Sequence, residues 1–168
     1  MYNGDMRKYR KSRLKNGFTV ITCMDDSTEI VDIDIVVKTG ARYEGKGQEG
    51  YAHLLEHMLM KGSHHYPTPL DIALFTERAG AYFNAATSNQ RLKLELQTVR
   101  HRANDMLEFM CDIALHPILD KDVLENEKKV VMQEIDKSDD DHWRRLWTEA
   151  SKRMLKGHPL ANRTLGSK

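Results

Sequence analysis

His53-Leu54-Leu55-Glu56-His57, set within the run from Gln48 to Gly62, decides how this chain is read. On a helix, residues four apart are neighbours, and residues three apart lie on the same side. His53 and His57 can therefore grip one metal ion, with Glu56 beside them to take a proton from a water molecule. The helix is argued from its own residues. Leu54, Leu55, Met58, Leu59 and Met60 are good helix formers, and no proline follows until Pro67. Lys61 supplies a basic last turn and Gly62 a stop. The run is apolar over most of its circumference, which predicts a largely buried helix. Burying two imidazoles and a carboxylate without partners is costly. Metal binding accounts for them better than two core histidines hydrogen-bonded to neighbours.

Catalytic zinc sites normally take three protein ligands and one water. A further ligand is expected on another element facing the first. The segment from Asp120 to Ile135 is predicted as a helix, with Asp120 or Asp122 as its cap and Leu124, Val131 and Ile135 as its apolar stripe. Glu127 and Glu134 are seven apart, almost two full turns, so they fall near the line of Leu124 and Val131. Carboxylates in an apolar stripe are unusual, and both are read as metal-site residues. Glu125 is read as a solvated edge.

The rest of the chain bounds the fold. At 168 residues it is one domain, long enough to bury a core. With 40% hydrophobic and 30% charged residues and a formal net charge of +1, it does not read as a general nucleic-acid or membrane-surface binder. No apolar stretch approaches a membrane span. Met1 to Lys15 is basic and polar without an apolar core segment, and it reads as the lead-in to the first strand. A matrix-targeting segment built on Arg7, Lys8, Arg10, Lys11 and Arg13 is the alternative, with Asp5 out of place for one. Cys23 and Cys111 show no ligand spacing and are expected to be reduced and at least half-buried, as in a reducing compartment. His64 and His65 read as loop residues, and His101, His116, His142 and His158 as isolated.

Strands are predicted at about Phe18 to Met24 and Ile30 to Lys38, the second alternating through Val31, Ile33, Ile35 and Val37. A helix follows from Pro69 to Ala79, ended by Gly80. Next comes a hairpin-like pair, Ala81 to Thr87 and Arg91 to Val99, with Leu92, Leu94, Leu96 and Thr98 on one face. A helix from His101 to Leu115 precedes the glutamate helix. The run from Ser138 to Asp141 is expected to cap a last helix through Trp143, Leu146, Trp147 and Met154. The class is α+β: a mixed or antiparallel sheet covered by helices, with the metal site on two facing helices.

Several motifs in order resemble one family, the insulinase/pitrilysin metallopeptidases, whose reversed His-x-x-Glu-His order is called inverzincin. His53 to Gly62 resembles its zinc helix, and Leu14 to Val20 its opening strand and turn. Val36 to Glu44 is similar to the strand end before that helix. Asn84-Ala85-Ala86-Thr87-Ser88 is similar to its Asn-Ala-x-Thr segment. Glu127 and Glu134 have its paired-glutamate spacing, and Gly157-His158-Pro159-Leu160 resembles the stretch that follows. Together these are far more specific than the pentapeptide alone.

The resemblance implies Zn2+ held by His53, His57 and Glu134. It makes Glu56 the general base and Glu127 the acidic residue behind the ligands. It implies an endopeptidase that hydrolyses extended peptides, with Asn84 and Ala85 at a substrate-binding sheet edge; for these two, a plain strand end with turn-forming residues is an equal reading. The family's domain continues past His-Pro-Leu and closes on a homologous second domain. Residues 1–168 are accordingly expected to be an N-terminal zinc domain cut short, pairing with such a half or with itself. The alternative is a metal-binding but proteolytically idle subunit that serves assembly. Bacterial cytoplasm is the expected compartment, with the mitochondrial matrix second.

Overall fold

The computed structural model describes residues 9–167. Ten regular elements follow in order: β1 (Tyr9–Arg13), β2 (Thr19–Cys23), β3 (Ile30–Val37), α1 (Tyr51–Leu59), α2 (Pro69–Arg78), β4 (Tyr82–Thr87), β5 (Leu92–Val99), α3 (Ala103–Leu115), α4 (Lys121–Asp140) and α5 (His142–Met154). The α+β expectation holds, and both sheets among the described residues are antiparallel.

The main sheet has the order β3-β5-β4, so β5 is central and β3 and β4 are edges. On β5 the predicted face is fully buried: Leu92, Leu94, Leu96 and Thr98. It packs against Met106, Phe109, Met110 and Ile113 of α3, with Leu59 of α1 and Ile72 of α2 completing one core. Phe109 sits at its centre, ringed by Tyr66, Phe75 and Phe83 at centroid distances of 5.0, 5.4 and 5.0 Å. Apolar area removed from water is the main stabilising term in such a cluster. On β3 the alternation is weaker than predicted. Val31, Ile33 and Ile35 are half-buried, but Val37 is exposed, because an edge strand is covered on one flank only.

Four boundaries or environments differ from the sequence reading. The basic lead-in contains a strand: β1 pairs with β2 from Tyr9↔Cys23 to Arg13↔Thr19. All five β1 residues are exposed, so no alternation marks them. Arg7 and Lys8, and Asp5 with them, lie outside the described residues. Cys23, at the end of that hairpin, is exposed instead of buried, while Cys111 is half-buried; both are free thiols. The glutamate helix runs on to Asp140, with Ser138 buried, and Asp141 alone caps α5 by accepting from Trp143 N and Arg144 N. Finally, α1 is less buried than its composition implies: Tyr51 and Leu55 face solvent. Asp120 caps α4 as expected, accepting from the backbone N–H of Asp122 and Val123 at 2.9 Å.

After α1 the chain turns sharply at Gly62, whose φ is 151°. A Cβ there would come within 2.4 Å of Pro67 O, so only glycine fits. No helix among the described residues is long and apolar enough to cross a membrane.

Candidate metal centre

Two helices build the site. On α1, His53 and His57 stand one turn apart with ring centroids 4.7 Å from each other. Against α1 lies α4, which brings Glu127 and Glu134 up two turns apart on the facing side. Glu134 Oε2 is 3.6 Å from His53 Nε2 and 3.6 Å from His57 Nε2. Among the described residues these three are the one group whose ligand atoms all lie within 4.8 Å of one another.

The donor set fits zinc. Bonds of about 2.1 Å in a tetrahedron put neighbouring donors about 3.4 Å apart, close to the two histidine–glutamate separations. Protonation also agrees. Burial, helped by the neighbouring His57 ring, holds His53 below the usual imidazole value, and Glu56, Glu134 and Glu44 oppose this only in part. A neutral ring is the form that offers a lone pair to a metal. The His53 Nδ1 atom is buried without a hydrogen-bond partner, which leaves Nε2 as the nitrogen turned to the site. Glu134 is 42% exposed in its side chain, so the centre opens to solvent on that side.

Behind His57 lies a second layer. His57 Nδ1 is 3.1 Å from Glu127 Oε2, and Lys61 Nζ donates to Glu127 Oε1 at 2.8 Å. The first contact places the proton on Nδ1 and turns Nε2 toward Glu134. Glu127 is buried; burial alone pushes its carboxyl up, but Lys61 and His57 outweigh that and hold it below the usual glutamate range. Lys61 was readable only as a basic last-turn residue. Its spacing of four from His57 was the one sequence signal for a place beside the site, and the contact with Glu127 came from the structure. Glu56 is half-buried on the same helix and makes no hydrogen bond to the described residues. Its carboxylate keeps its acceptor capacity.

Asn84 and Ala85 lie on β4, whose outer edge is unpaired among the described residues. Neither side chain belongs to the metal-ligand group. Asn84 Nδ2 donates to Glu95 Oε1 at 3.3 Å, and Ala85 packs into the core beside Leu94. Thr87 Oγ1 donates to Ala52 O at 3.4 Å, fastening the end of β4 to the first turn of α1. His65 and His116, read as a loop residue and an isolated one, both meet the buried Asp112, at 2.8 and 3.4 Å. That cluster ties the segment after α1 to α3 and takes no part in the metal centre.

With this geometry in place, similarity to known proteins is informative. The family model described as insulinase (peptidase family M16) matches residues 19–168. The chain belongs to that family. It is 30% identical over 159 residues to a protein of Rickettsia bellii named "Uncharacterized zinc protease", covering 95% of this chain and 38% of that protein. It is 27% identical over 157 residues to the mitochondrial-processing peptidase subunit beta of Saccharomyces cerevisiae, covering 94% of this chain and 34% of that one. A crystal structure of a protease from Helicobacter pylori superimposes with a TM-score of 0.90 at 24% identity, over 96% of this chain and 39% of that one. That likeness concerns the fold. The chain spans less than two-fifths of the length of each of these proteins.

Proposed function

We propose that this chain is the zinc-binding catalytic domain of an endopeptidase that hydrolyses peptides bound in extended form. The carrying observation is the convergence of His53 Nε2, His57 Nε2 and Glu134 Oε2 beside an unencumbered Glu56. Family membership and the zinc protease name of the Rickettsia relative support the same reading.

Zinc, when bound, makes a water more acidic and polarises the scissile carbonyl. The chain's own residues do the rest. His53, His57 and Glu134 are the ligands, and Glu127, steadied by Lys61, keeps His57 in one tautomer and orientation. Glu56 takes the proton from the attacking water and delivers it to the leaving nitrogen. The outer edge of β4, unpaired among the described residues, receives the substrate as an added strand at Asn84 and Ala85, so recognition runs mainly through backbone hydrogen bonds. A homologous second half, or a second copy, is the proposed partner that completes the substrate chamber.

An idle assembly subunit would have no use for Glu56, whereas the proposed mechanism depends on it. Glu56→Gln keeps shape and loses the proton acceptor. The expected result is retained zinc with loss of all chelator-sensitive cleavage of internally quenched peptides, measured with the chain and its completing half. Wild-type turnover by the Glu56→Gln protein would overturn the mechanism.

A further inference from the structure

The N-terminus of α1 lacks a cap of its own. Its N-cap position is Gly50, at φ 93°, with no side chain to accept from the first-turn N–H groups. Those groups need acceptors in any helix. Glu44 supplies them from six and eight residues upstream: Oε2 accepts from Gly50 N and Oε1 from Ala52 N, both at 2.8 Å. Both oxygens of one carboxylate are engaged, so its position sets the angle at which α1 leaves the preceding loop. Ala52 is the residue next to His53. A carboxylate at the positive end of a helix is also favoured by the helix dipole.

The segment that carries Glu44 is held from two sides. Arg42 N donates to Asn89 O at 2.9 Å, in the turn between β4 and β5. Ala41 O accepts from Asn162 Nδ2 at 2.8 Å, and Asn162 O accepts from Asn89 Nδ2 at 2.7 Å. Gly50 fits backbone to backbone against Leu165 and Gly166; a Cβ on it would come within 2.9 Å of Leu165 O. The segment from Ala41 to Glu44 is thus clamped between the β4–β5 turn and the residues after α5, and Glu44 passes that placement to α1.

We infer that Glu44 is a positioning residue of the metal centre: a remote cap that fixes the start of α1 and so the aim of the His53 ring at Glu134. This rests on His53, His57 and Glu134 being the zinc ligands. A cap that only added stability would be equivalent to any other, and Thr68 provides the comparison. Its side chain caps α2, away from the metal centre, by accepting from Asp71 N in a reciprocal box.

The test measures zinc affinity of the purified chain by chelator competition, with the visible spectrum of the cobalt-substituted chain as a report on ligand geometry. Glu44→Ala should weaken zinc binding about tenfold and alter the cobalt bands, near the lower end of what orienting residues contribute. Glu44→Gln keeps one acceptor oxygen and should fall between. Hydrogen exchange should show the Gly50 and Ala52 amides both losing protection in Glu44→Ala, and one of the two losing it in Glu44→Gln. Thr68→Ala should lower the unfolding midpoint and leave zinc affinity and cobalt bands unchanged. Wild-type zinc affinity in both Glu44 variants would overturn the inference, as would an equal loss in Thr68→Ala. Should Glu44→Ala fail to fold, Glu44→Gln decides alone. Zinc retained by His57→Ala would remove the site assignment instead, a result distinct from any failure at Glu44.

Discussion

Glu127 holds two cationic or polar partners on one buried carboxylate, His57 on one oxygen and Lys61 on the other. A group of that kind is costly to leave half-satisfied. Glu127→Gln can accept from only one of the two, and its amide nitrogen would face the other donor. The expected outcome is zinc binding weakened by about 10–100-fold with the fold retained, measured by chelator competition. Unchanged affinity would show that Glu127 does not orient His57. The separate positions of the two acidic residues were readable in part. Helical spacing placed Glu127 and Glu134 on one stripe, because period is a property of sequence. Which of them faces His57 Nδ1 and which the open side depends on how α4 lies against α1, and no single segment records that. Glu44 was read only as the end of the Val36 to Glu44 stretch; its capping contact was not legible, because its partners are backbone N–H groups, which carry no residue signature.

At the scale of elements, the segment following α1 is fastened to α3 through Asp112. The buried carboxylate accepts from His65 N at 3.0 Å and meets the His65 ring at 2.8 Å. Burial opposes its charge. The neighbouring Ser63 hydroxyl, which stops short of a well-formed hydrogen bond, and the His65 backbone and ring outweigh that and bring its pKa to about 2. A carboxyl depressed in the folded state contributes stability that is full above its ordinary value near 3.8 and fades as pH falls toward 2. The shift corresponds to about 2 kcal/mol at most. Thermal unfolding followed from pH 5 to pH 2 should therefore show a steep decline that Asp112→Asn makes shallower. Equal slopes in the two proteins would contradict this account of the contact. Elements with a buried face were legible: β5 from its alternating leucines and α4 from its apolar stripe. The hairpin strand β1 was not, since it buries nothing. The end of α4 was misplaced because Ser138 to Asp141 looks like a cap, and only Asp141 serves as one.

For the whole molecule, the core around Phe109 is closed, but the surface of α5 is not. Trp143 is 81% exposed and Trp147 76%, one turn apart, with Leu146 and Met154 exposed near them. Apolar stripes of this kind promote association when nothing covers them. Sedimentation velocity should show the 168-residue chain self-associating as concentration rises, and the double change Trp143→Gln, Trp147→Gln should move it toward monomer. A wild-type chain that stays monomeric at high concentration would contradict this. The α+β class and the pairing of two helices at the site followed from sequence pattern and resemblance. The sheet order β3-β5-β4, which leaves β4 at an edge among the described residues, had to come from the structure, because strand order is set by contacts between distant segments.

The central claim is that His53, His57 and Glu134 hold zinc while Glu56 serves the chemistry, and its most direct test is metal content. Elemental analysis should find one zinc per chain in the wild type and in Glu56→Gln, and almost none in His57→Ala. Zinc in His57→Ala equal to that in the wild type would contradict the account at its root.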